Sequence, residues 1–132
     1  MYPSEERRHE AFFPKDQHPL GYEGKSIYDY LFGQPDFDPN LTAFNYLDTK
    51  ISYGKFKQEC DKPVGALQAL GVHRGDVVAV ILPSIPEVFY LVYALSRMGA
   101  TANMIDVRYP TNGFREQIEL TGSKLLFAYD GV

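Results

Sequence analysis

Few residues in this sequence could do chemistry, and most fall short of the pattern that chemistry needs. Gly24-Lys25-Ser26 has the ending of a phosphate-binding loop. Such a loop turns backbone N–H groups and a lysine onto a polyphosphate, and it needs another glycine five residues before the second one. That position holds Pro19, and no strand pattern precedes it, so the tripeptide reads as a turn before a short helix. His9-Glu10 begins like a zinc-protease motif, but position 13 is Phe13. His9, His18 and His73 lack ligand spacing and cysteine companions, so no metal ligand is assigned. Cys60 falls on the apolar stripe of a helical segment with nothing nearby to lower its pKa, and reads as a small buried hydrophobe. Asn40-Leu41-Thr42 matches a glycosylation acceptor, but without a secretory signal it reads as a loop entering a strand. No Gly-x-Gly-x-x-Gly follows a strand pattern.

Asp106 stands at the carboxyl end of a strand pattern, where open α/β sheets place their sites. An aspartate there could accept a phosphoryl group, as in receiver domains, but that chemistry needs an acidic metal-binding pair at the end of an earlier strand. Pro83-Ser84 and Asp48-Thr49-Lys50 stand there instead, and a turn or helix cap is the favoured role for Asp106.

The elements that must position these residues follow from periodicity. Residues 1–24 carry Pro3, Pro14, Pro19, Gly21 and Gly24 without a clean period, and read as an irregular arm. Ser26 caps a short helix over 27–32. Residues 42–47 against 51–53, joined by Asp48-Thr49-Lys50, read as a β-hairpin. Helical spacing over 54–70 puts Phe56, Cys60, Val64, Leu67 and Leu70 on one stripe, ended by Gly71. The apolar run in 76–82 suits a central parallel strand covered on both faces. A helix over 85–98, capped by Ser84 with Pro86 in its first turn, is apolar nearly all round and expected to be deeply buried. A strand over 100–105, a helix from Thr111 or Asn112 to Thr121, and a strand over 124–129 complete the pattern. The fold class is α/β: a hairpin, then βαβαβαβ with a mainly parallel sheet and right-handed crossovers.

Composition excludes several classes. The chain has 132 residues, 45% apolar, with one cysteine, so no internal disulfide can form. Its net charge of −4 resides in residues 1–40, with eight acids and four bases, whereas residues 41–132 hold nine of each. The neutral part gives no electrostatic footprint for nucleic acid. The longest apolar stretch, 85–98, is too short and too charged to span a bilayer. The first ten residues lack the apolar core of a signal peptide, and the expected location is the cytoplasm.

The run Leu70-Gly71-Val72-His73-Arg74-Gly75-Asp76-Val77-Val78, followed by Leu82-Pro83-Ser84-Ile85-Pro86-Glu87 and later by Gly99-Ala100, resembles the start of the adenylate-forming (AMP-binding) enzymes. Ile51-Ser52-Tyr53 with Phe56 resembles a further motif of the same family, Ser26 to Leu31 resembles the start of the fatty-acyl-CoA synthetases, and Ala102-Asn103-Met104-Ile105 is similar to bacterial members of that branch. The resemblance covers about residues 25 to 130. It implies that residues 25–132 are an incomplete N-terminal α/β subdomain of a larger ligase. The parent would use ATP and Mg to activate a fatty acid as an acyl-adenylate and transfer it to coenzyme A. The family's catalytic residues lie later in its chains, so no catalytic residue is assigned here and the fragment is expected to be structural and inactive. Arg108 and Tyr109, after the strand over 100–105, are expected near the coenzyme A path. A free-standing α/β binding module is the alternative.

Two structural expectations complete the reading. Pro63 lies inside a helical pattern, removes the hydrogen bond to the Glu59 carbonyl and predicts a kink or break, at ~3 kcal/mol if nothing accommodates it. The sheet is expected to expose an edge through which the fragment dimerises.

Overall fold

The computed structural model describes residues 24–130. The elements are α1 (Ile27–Phe32), β1 (Thr42–Tyr46), β2 (Thr49–Ser52), α2 (Tyr53–Ala69), β3 (Val77–Ile81), α3 (Pro86–Met98), β4 (Thr101–Met104), α4 (Thr111–Thr121) and β5 (Leu125–Ala128). The arm expected at residues 1–24 lies, but for Gly24, outside the described residues.

The parallel sheet has three strands in the order β4-β3-β5. β3 is central, pairing Val78 with Ala102 on one side and with Leu125 on the other. Its alternating side chains feed two cores, because successive residues of a strand point to opposite faces. Val78 and Val80 pack with Leu67 of α2 and with Leu91, Ala94 and Leu95 of α3. Ala79 and Ile81 pack with Ile105 and with Phe114 of α4. The helices therefore cover both faces, which is why the strand can be continuously apolar. The crossover through α3 moves the chain from β3 to β4. The crossover through α4 carries it back past β3 to β5, on the other face.

The strand over 51–53 does not join this sheet. It pairs with β1 in a separate antiparallel hairpin, so the parallel part is βαβαβ, one βα unit shorter than expected. The hairpin turn also sits one residue earlier. Leu47 and Asp48 have φ of 47° and 62°, and Tyr46 pairs with Thr49. Two residues in the left-handed region make the tight turn whose twist matches paired strands. A leucine there is strained by roughly 1–2 kcal/mol, and its side chain is left in water.

Ser26 caps α1 as expected, its hydroxyl accepting the Asp29 N–H at 3.0 Å. The Ser84 cap is absent. Ile85 is the residue before α3, no side chain caps the helix, and Pro86 at the first position has no N–H to satisfy. α3 is also less enclosed than its composition predicts. Val88, Leu91, Ala94 and Leu95 are buried, but Phe89 is 46% exposed. Gly99 ends it at φ 73°, with the Arg74 Cγ only 3.0 Å from where a Cβ would stand.

α2 runs unbroken from Tyr53 to Ala69 with Pro63 inside it, so the expected break does not occur. Proline still has no N–H to give the Glu59 carbonyl. The helix persists because Phe56, Cys60 and Leu67 anchor turns on both sides of the defect in buried apolar packing. Replacing Pro63 with Ala should therefore stabilise the fold by about 2 kcal/mol: the ~3 kcal/mol interior penalty, less the ~1 kcal/mol by which proline restricts the unfolded chain. Urea unfolding measures it, and a midpoint at or below that of the parent chain would show that Pro63 costs the helix nothing.

Candidate functional site

Two loops leave the carboxyl ends of β3 and β4 toward helices on opposite faces of the sheet. Adjacent strands whose connections diverge leave a crevice between them, the usual place for a site in open α/β sheets. Its rims are Pro83-Ser84-Ile85 after β3 and Asp106 to Pro110 after β4.

Asp106 organises its rim. Its Oδ1 accepts the Arg108 backbone N–H at 2.9 Å and the Arg108 Nε at 3.0 Å. Its Oδ2 accepts the same Nε at 3.1 Å and Nη2 at 2.5 Å. The backbone bond is the turn an aspartate makes two residues on, as the sequence suggested. The hydrogen bonds from the Arg108 guanidinium, and then that from its N–H, hold the Asp106 carboxyl down to about 2. This pair occupies one edge of the guanidinium and leaves Arg108 otherwise in water, 86% exposed.

Tyr109 closes the turn with its N–H on the Asp106 carbonyl at 3.0 Å. Its ring lies over the first turn of α4, so close that a Cβ at Gly113 would sit 2.7 Å from Cδ1. Arg108 and Tyr109 thus share one exposed turn at the carboxyl end of the sheet. Ser84 is on the neighbouring loop, exposed and without an assigned role.

The opposite end of the sheet is tied by a second aspartate. Asp76 accepts the His73 N–H at 2.7 Å and the Lys124 ammonium at 3.1 Å, and Lys124 also reaches the Gly71 carbonyl at 2.7 Å. The His73 N–H and then Lys124 lower its carboxyl pKa. The Gly-Asp of the sequence motif is therefore a turn lock that joins the entry of β3 to that of β5.

Sequence reasoning missed an apolar cleft of about 480 Å³ beside the Ser84 loop. Leu31, Phe44, Tyr53, Pro86, Phe89 and Tyr93 are among its walls. These come from four elements far apart in the chain, and the one early signal was the 14% aromatic content. Cys60 is buried as expected, and burial is the main cause pushing its thiol up to about 12.

For a triphosphate and its metal the described residues offer a poor fit. Among them no three histidine, cysteine or acidic side chains cluster. Their glycines stand singly at element ends or within helices rather than in one loop. No helix among them is long and apolar enough to cross a membrane.

The model of the AMP-binding enzyme family matches residues 32–132. The chain belongs to the AMP-binding enzyme family. Acetyl-coenzyme A synthetase of Streptomyces avermitilis is 36% identical over 81 residues, 61% of this chain and 12% of that protein. Acetyl-coenzyme A synthetase 2 of Candida glabrata is 30% identical over 106 residues, 76% of this chain and 15% of that protein. The AMP-binding chain therefore spans less than a sixth of the length of these relatives. Among solved structures, the N-terminal domain of FACL13 from Mycobacterium tuberculosis superposes with a TM-score of 0.71 at 27% identity, over 77% of this chain and 26% of that one. The N-terminal subdomain of Klebsiella oxytoca NpsA, in complex with anthranilyl-AMSN, gives 0.75 at 22% identity, over 88% of this chain and 30% of that one. The α/β architecture is thus that of the N-terminal part of an adenylate-forming enzyme.

The Asp106 pair generates a direct expectation. A carboxyl depressed to about 2 contributes stability that is present above the ordinary carboxylate pKa and is lost as pH falls through 2. Carboxyl NMR should place the Asp106 midpoint near pH 2 and move it into the ordinary range in Arg108→Met. A midpoint near 4 in the parent chain would show that the pair does not form in solution.

Proposed function

We propose that this chain is part of an ATP-dependent acyl-CoA synthetase, in which it supplies the first α/β layer and one rim of the active cleft. The parent enzyme joins a carboxylic acid to AMP from Mg-ATP, releases pyrophosphate, and passes the acyl group to the thiol of coenzyme A. The observation that carries this reading is the AMP-binding family match across residues 32–132, supported by relatives named as acetyl-coenzyme A synthetases. Sequence motifs favour a fatty acid as the substrate, whereas the names of those relatives favour acetate.

On this reading the described residues position other groups rather than react. Nothing among them cradles a triphosphate, so residues 1–132 alone are structural and inactive. Arg108 and Tyr109 form the rim nearest the coenzyme A path. The paired guanidinium keeps its outer edge in water, free to meet a phosphate, and the Tyr109 ring offers a flat apolar face. Among the described residues, the outer strands β4 and β5 have no partner on their far sides, which supports association between copies at high concentration.

Pyrophosphate exchange in the enzyme encoded by the whole reading frame tests the reading. Exchange should depend on a carboxylic acid, with palmitate against acetate deciding the acyl class. No exchange with any acid would leave a non-catalytic binding module. Within an active enzyme, Arg108→Ala should raise KM for coenzyme A several-fold while leaving the exchange step alone, at the ~1–3 kcal/mol scale of a charged hydrogen bond. An unchanged KM would remove Arg108 from the coenzyme A path.

A further inference from the structure

α1 is held to the rest of the fold in an unusual way. Six residues are too few to keep a helix by themselves, so its order depends on docking. Ile27 is 60% exposed, and the one buried side chain of α1 is Tyr28. The Tyr28 ring enters the aromatic cluster of Phe56 and Cys60, and its hydroxyl donates to Asp61 Oδ1 at 2.5 Å. The same oxygen accepts from Arg97 of α3, and Oδ2 accepts the Lys57 ammonium at 3.2 Å. Lys57 and Arg97 also lie against the Tyr28 ring, 5.4 and 5.2 Å from its centre. One carboxylate thus gathers α1, α2 and α3. Residues 33–41, which follow α1, are exposed except for Phe37, which rests half-buried on Phe32 and Tyr53.

We infer that α1 is a strap that opens as a unit, latched through Tyr28 by the Asp61 carboxylate, and that its opening uncovers the aromatic cluster around Cys60. Leu31, on the same helix, is a wall of the apolar cleft, so opening also removes one side of that cleft. Phe32 adds half-buried edge-to-face contacts with Phe56 and Tyr93, and the Tyr28 N–H reaches the Ser96 hydroxyl at 3.4 Å. A six-residue element whose one buried side chain is Tyr28 still opens at less cost than the whole fold.

The latch holds through the neutral pH range. Burial alone would raise the Asp61 carboxyl, but the hydrogen bonds from Tyr28 and Lys57, with the Arg97 charge, bring it below its ordinary value. Among the described residues, these three are the charged or titratable groups bonded to it, one each from α1, α2 and α3. The contribution is complete above the ordinary carboxylate pKa and is lost only as pH falls through the lowered one. Tyr28 is raised, chiefly by burial, so the hydroxyl keeps its proton at neutral pH. Substitution rather than mild pH change is the way to release the strap.

Cys60 is the sole cysteine of the chain and reports opening at one site. Closed, its thiol is fully buried and pushed up to about 12. Open, it returns toward the ordinary ~8.5 and reacts with dithionitrobenzoate. In the 132-residue chain at pH 8, labelling at low urea should be nearly independent of urea, because local opening exposes little surface. Tyr28→Phe should speed labelling about tenfold without urea, the effect of losing one hydrogen bond to a charged group, and Asp61→Asn should do the same. Equal labelling rates in folded Tyr28→Phe and the parent chain would overturn the proposal. So would parent-chain labelling that follows the full urea slope of global unfolding from the first increment, a result independent of whether either variant folds.

Discussion

Burial of β3 on both faces is the constraint on which the other elements depend. Val78, Ala79, Val80 and Ile81 are all within 1% of complete burial. Removing a Val or Ile side chain from water is worth roughly 1.5–3 kcal/mol, so four adjacent apolar residues supply a large part of the core. That gain requires a strand on each edge and a helix on each face. β4 and β5 supply the edges, α3 and α4 the faces, and right-handed crossovers leave this order as the economical solution. The divergence of the two loops at the carboxyl end, and hence the crevice, follows from the same requirement.

Two aspartates fix the ends of this unit by similar means. Asp76 and Asp106 each accept a backbone N–H from a nearby residue and a basic side chain. At the amino end the base comes from β5's approach, so the lock joins two distant segments. At the carboxyl end it comes from two residues away, so the lock is local and leaves the arginine in water. The first arrangement secures the fold. The second shapes a surface.

A satellite core of aromatic residues joins the hairpin, α1 and the upper half of α2 to α3. Phe32, Phe44, Phe56 and Tyr93 meet edge to face at ring separations of 5.0 to 6.0 Å. This packing holds the turns of α2 on the N-terminal side of Pro63, while Leu67 holds those beyond it. A proline that would end an exposed helix is tolerated because the chain on each side is committed to a different core.

The sequence alone determined the family, the parallel α/β class, the central strand, the burial of Cys60, and element bounds to within a residue or two, except at the hairpin. Each of these is written in local signals: an unbroken apolar run, helical spacing ended by glycine, a proline in a first turn. Tertiary structure decided what local signals cannot encode. The separation of the hairpin from the sheet depends on which strand edge is free. The continuity of α2 through Pro63 depends on packing from distant segments, with Tyr93 against Phe56 on one side of the proline and the core of Leu91, Leu95 and Phe127 around Leu67 on the other. The Asp61 cluster draws Tyr28, Lys57 and Arg97 from three helices, and the apolar cleft draws its walls from four elements. Such sites arise where distant segments meet, and a periodicity that gives each segment its own buried face does not say which faces will share a boundary.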